Sequence, residues 1–111
     1  MPAPPAKLER IQDEALRESL RAAHASLVAG NYPDVVRRAA EAYVELLKRK
    51  PELLEGPMGR FRIFAFPRLG AHLETPADGP PSVVYDRERF SFSEAVTYFE
   101  FALDSLVREG L

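Results

Sequence analysis

Apolar residues recur at helical spacing in three stretches of this 111-residue chain, and a middle region breaks the rhythm. In the first stretch Leu16, Leu20, Ala23 and Leu27 form a stripe that Leu8, Ile11 and Ala15 extend toward the start, which predicts a helix over Lys7 to Ala29. Glu9, Asp13 and Glu14 lie early, where carboxylates favour the positive end of the helix dipole. Gly30 then supplies a stop, because glycine tolerates the left-handed backbone that closes a helix. The second stretch opens with Asn31 as a candidate cap and Pro33 in the first turn, where its missing N–H costs nothing. Val35, Val36, Ala39, Ala42, Tyr43, Leu46 and Leu47 give it a broad apolar face, and Lys48, Arg49 and Lys50 oppose the dipole at its end before Pro51. The short link between the two stretches predicts an antiparallel helix pair.

The third stretch carries the strongest start signal. Ser91-Phe92-Ser93-Glu94 fits a capping box, and Phe90 before it is placed to staple onto Ala95. Phe92, Ala95, Val96, Phe99, Ala102, Leu103, Leu106 and Val107 follow as a dense core face up to Gly110. With Phe99 at the centre of that face and about 100° per residue, Tyr98 falls roughly 100° away and Phe101 roughly 160° away. A phenylalanine opposite the core buries no area in it, so Tyr98 and Phe101 are expected to form an exposed patch that meets a second copy across a two-fold axis.

Residues 55–89 read differently, with Gly56, Gly59, Gly70 and Gly79 and half of the chain's prolines. A structureless loop of that length is improbable in so small a domain. Phe61 to Phe66 and Ser82 to Tyr85 are rich in strand formers and are expected to pair as a short hairpin, with a short helix over Met58 to Phe66 as the alternative. The expected fold class is therefore mainly α: a three-helix up-and-down bundle with a short hairpin or helix inserted before the last helix. Residues 1–6, with three prolines, read as an extended arm, and residues 7–111 as one domain.

Composition narrows the chemistry. There are no cysteines, so disulfides, thiolate metal sites and cysteine nucleophiles are excluded, and two histidines make an imidazole-based metal site improbable. No metal and no cofactor is expected. No run approaches the length of a membrane span, and the first residues lack the basic start and apolar core of a signal peptide, so a cytoplasmic protein is expected. The net charge of −2 argues against strong phosphate binding. It is unevenly spread: Arg60, Arg62 and Arg68 make the middle basic, and residues 75–111 are acidic. Those three arginines, interleaved with Phe61, Phe64 and Phe66, are the candidate nucleic-acid platform.

Residues 29–42, AGNYPDVVRRAAEA, resemble the second helix of HEPN proteins, in which a glycine and a nearby tyrosine precede a helix with an Arg-Ala pair. The last stretch, FSFSEAVTYFEFALDSLV, is similar to the closing helix of that fold. The resemblance covers under half of the chain. It implies a compact helical bundle, frequently dimeric, and in some members a ribonuclease toxin paired with a nucleotidyltransferase antitoxin. The ribonuclease signature is an arginine followed by a histidine after a longer gap than the three residues between Arg68 and His72, and Leu69 replaces the usual polar residue. The activity is therefore not carried over, and Arg68 with His72 stand as the alternative catalytic pair. The hairpin formed by the first two stretches also resembles a tetratricopeptide unit at Gly30, Tyr32, Ala39 and Ala42.

The remaining polar residues read as structural. His24 edges an apolar face, and Arg37, Arg38, Glu41 and Glu45 read as an exposed face with ion pairs one turn apart. The expectation is a non-catalytic, homodimeric interaction module, with RNA binding or cleavage through Arg68 and His72 as the alternative, and with a nucleotidyltransferase as a possible protein partner.

Overall fold

The computed structural model describes residues 5–54, 71–74, 82–85 and 89–111. Three helices form a bundle: α1 (Glu14–Ala29), α2 (Tyr32–Arg49) and α3 (Phe92–Arg108). One 3-10 turn, Ala6–Arg10, precedes α1 and another, Pro51–Leu54, follows α2. Strands β1 (Ala71–Glu74) and β2 (Ser82–Tyr85) pair antiparallel, with Ala71 opposite Tyr85 and Glu74 opposite Ser82. The partner seen for Ser82–Tyr85 is thus Ala71–Glu74; the expected partner, Phe61 to Phe66, lies outside the described residues.

Helix α2 is the central element and packs extensively on both α1 and α3. Its expected face is buried throughout, from Val35 and Val36 to Leu46 and Leu47, and Ala40 joins it. At the α1–α2 corner Gly30 adopts φ 84°, its N–H donates to the Leu27 carbonyl, and the Asn31 N–H donates to the Ser26 carbonyl at 2.8 Å. These two bonds close the helix with the expected left-handed glycine. Asn31 uses its backbone there; its side chain makes no capping bond.

Helix α1 starts later than the apolar spacing suggests. Ile11 and Asp13 are extended, and the Asp13 carboxylate accepts the Leu16 N–H at 2.9 Å as an N-cap. Leu8 and Ile11 are fully buried, but from a separate turn. Spacing of three residues suits a 3-10 turn as well as an α-helix, so the stripe cannot tell them apart.

Helix α3 opens with the expected capping box: Glu94 N–H donates to Ser91 Oγ at 3.2 Å and Ser91 N–H to Glu94 Oε1 at 2.9 Å. It ends as α1 does. Gly110 has φ 78°, its N–H donates to the Val107 carbonyl, and the Leu111 N–H donates to the Leu106 carbonyl at 3.0 Å.

The direction of α3 departs from strict up-and-down alternation. Tyr32 and Phe92, at the starts of α2 and α3, have ring centroids 5.9 Å apart. At the other ends, the Lys50 ammonium donates to the Glu109 carbonyl at 2.7 Å. Helices α2 and α3 therefore run the same way, and α1 opposes both. Parallel neighbours need a connection long enough to return along the bundle, and residues 50–91 separate these two helices.

Candidate interaction surface

The parallel arrangement of α2 and α3 brings two aromatic side chains to one end of the bundle. The Tyr32 and Phe92 rings meet edge to face at 65°. Phe92 is 55% exposed, the one large hydrophobic residue among the described residues to stand out so far. Phe90, half-buried beside it in sequence, packs against the core and meets the Tyr98 ring edge to face at 6.2 Å. Phe92 was expected in the core. It occupies the first position of α3, at the end of the bundle, where no further turn of helix covers it.

The expected patch of Tyr98 and Phe101 does not form. Tyr98 is fully buried within its own chain. Phe101 is partly buried, its ring edge to face with Tyr43 at 5.2 Å. The buried residues of α3 are Ala95, Tyr98, Phe99, Ala102, Leu103, Ser105 and Leu106. The centre of that arc lies about 40° from Phe99, toward Ala95 and Ala102. The small side chains sit at the middle of the buried face, and the bulky Phe99 lies to one side. This rotation buries Tyr98, half-shelters Phe101 and moves Phe92 and Val96 toward the rim.

Among the other candidates, Arg60, Arg62 and Arg68 lie outside the described residues, and with them the Arg68–His72 pair; His72 is on β1, opposite Val84 in the register. His24 faces the Phe99 ring at 6.0 Å, in keeping with its structural reading. No group of three or more His, Asp or Glu residues suited to a metal occurs among the described residues.

A hydrogen bond at one corner and an ion pair at the other fasten α1 to α2. Near the aromatic end, Asp34 Oδ2 accepts Ser26 Oγ at 2.5 Å and Arg38 Nε at 2.8 Å, and Arg37 stands 3.7 Å from Oδ1. Both arginines thus pair back to Asp34, one turn earlier, and Glu45 pairs forward with Arg49 at 3.2 Å. At the opposite end, Arg49 Nη1 lies 2.6 Å from Asp13 Oδ2, which links the end of α2 to the start of α1.

The Ser26 hydroxyl and then Arg38 hold the Asp34 carboxyl below its ordinary 3.8, and the Leu16 N–H and then Arg49 do the same for Asp13. Each carboxylate binds a proton more readily in the unfolded chain. The stability they supply is present above the ordinary carboxylate value and is lost as pH falls through the lower folded values. Melting temperature measured from pH 6 downward should hold until about pH 4 and then fall. The Asp13→Asn/Asp34→Asn double variant should begin lower and show a shallower acid limb.

No protein-family profile, curated protein or solved structure matches this chain. No helix among the described residues is long and apolar enough to cross a membrane.

Proposed function

We propose that the protein is a cytoplasmic, non-catalytic interaction module that forms a homodimer through the aromatic end built by Tyr32 and Phe92. The observation that carries this reading is the 55% exposure of Phe92 beside a second ring on a neighbouring helix. A paired aromatic surface loses little side-chain freedom on binding, and aromatic residues dominate contact energetics. The HEPN-like reading belongs to the same proposal. Its two carriers, residues 29–42 and α3, pack in one bundle, and dimerisation is frequent in that family.

Sedimentation velocity across a wide concentration range tests this. The wild type should pass from monomer to dimer, and Phe92→Glu should remain monomeric with unchanged far-UV circular dichroism. A wild type that is monomeric throughout, or a Phe92→Glu variant that still dimerises, contradicts the proposal.

A further inference from the structure

We infer that residues 5–11 form a detachable strap, and that the slot they fill between α1 and α3 is a docking site for the same segment of a second copy. The 3-10 turn packs on both α1 and α3, the two helices that touch each other least. It seats Leu8 and Ile11, both fully buried, in the space between them.

The strap's attachment is of an unusual kind for a segment with two core residues. Among the described residues, its backbone donors bond only within the strap: Leu8 N–H to the Pro5 carbonyl at 3.0 Å and Ile11 N–H to the Leu8 carbonyl at 3.2 Å. Beyond the burial of Leu8 and Ile11, what ties it to the helices is side-chain chemistry. Lys7 pairs with Asp104 of α3 at 2.5 Å, Glu9 pairs with Arg21 of α1 at 2.6 Å, and Arg17 Nη1 donates to the Ile11 carbonyl at 3.0 Å. Exposed ion pairs contribute little and are screened by salt. With none of its described backbone donors bonded to a helix, the segment can open at the cost of two aliphatic side chains and these pairs while the helices keep their own hydrogen bonds.

The next two residues are a fixed pivot. Gln12 and Asp13 N–H both donate to the Leu111 carbonyl, at 2.5 and 2.6 Å, and Asp13 caps α1 and pairs with Arg49. Opening therefore stops at residue 11 and leaves α1 capped. The open slot is shaped for two aliphatic side chains three residues apart, with a cation placed for Asp104 and an acid placed for Arg21. The segment that carries this pattern is the chain's own, and a second copy presents it again; exchange of an identical element is a low-cost route to association. The slot lies at the end of α3 remote from Phe92, and the chain's own strap, tethered at high effective concentration, keeps exchange between copies negligible at the concentrations where Phe92→Glu sediments as a monomer, so Phe92→Glu leaves the slot's affinity for a free peptide unchanged.

Two measurements test it on the full chain. A fluorescent peptide of residues 5–12 should bind the Leu8→Ser/Ile11→Ser variant at least about tenfold more tightly than the wild type, whose own strap competes at high effective concentration. The peptide with serine at both positions should not bind. A folded double variant that ignores the peptide overturns the inference. Hydrogen exchange on the wild type decides independently of how that variant folds. The Leu8 and Ile11 amides should exchange at least about tenfold faster than α2 core amides such as Ala42. Their rate should rise roughly three- to tenfold in about 1 M salt, as two exposed ion pairs are screened. Exchange of Leu8 and Ile11 together with α2, without response to salt, overturns it.

Discussion

Leu46→Ala should destabilise the bundle by about 2–5 kcal/mol, the range for truncating a buried leucine to leave a cavity. Leu46 is fully buried on α2, the helix that both others pack against. A hole there is bordered by other fully buried side chains and has little room to collapse. Against a total stability of about 5–15 kcal/mol for a small domain, such a loss is severe. Urea denaturation should show a lower midpoint with an unchanged slope, because the variant buries the same overall surface. Glu41→Ala, one turn away on the exposed side of α2, should change stability by less than about 0.5 kcal/mol. If the two variants prove equally stable, α2 is not the core of the fold.

Tyr98→Ala should cost about 3–5 kcal/mol, as expected for removal of a fully buried aromatic ring. Phe92→Ala, at a residue 55% exposed on the first position of α3, should cost less than about 1 kcal/mol. Phe101→Ala should fall between them, since it loses partial burial and an edge-to-face pair with Tyr43, itself worth about 0.5–1.5 kcal/mol beyond area. This order, Tyr98 before Phe101 before Phe92, follows from the rotated buried arc of α3. A wheel centred on Phe99 would put Phe92 first and Phe101 last. Chemical denaturation of the three variants therefore separates the two faces directly.

Much of the bundle was legible because its signals are local. Ser91 and Glu94 satisfy each other within one turn, and Gly30 closes α1 with its own backbone. The α2 face is nearly continuous from Val35 to Leu47, so its burial needed no knowledge of partners. The start of α1 was hidden because Leu8 and Ile11 are spaced alike in a 3-10 turn and in an α-helix. What decides the boundary is Asp13, whose carboxylate takes the Leu16 N–H, and an acid near a helix start does not reveal whether it caps or merely precedes.

The face and direction of α3 depend on other parts of the chain. Ala95 and Ala102 sit fully buried at the middle of the buried arc, where small side chains suit helix packing, while a wheel weighted by hydrophobicity follows the large rings. The same weighting placed Phe92 inside. Its position as the first helical residue was the available clue, since the end of a bundle is where coverage runs out. That α3 runs parallel to α2 depends on the path of residues 50–91, and no local pattern encodes it. The aromatic pair of Tyr32 and Phe92 follows from that direction, and so it was not visible in the sequence.

The surface assigned to Phe92 and Tyr32 is tested most directly by following aromatic ring resonances as the protein is diluted. The rings of Tyr32 and Phe92 should shift together with concentration, while Tyr98, enclosed by its own chain, stays constant. Constant Tyr32 and Phe92 resonances, or concentration-dependent shifts confined to Tyr98 and Phe101, would contradict the assignment.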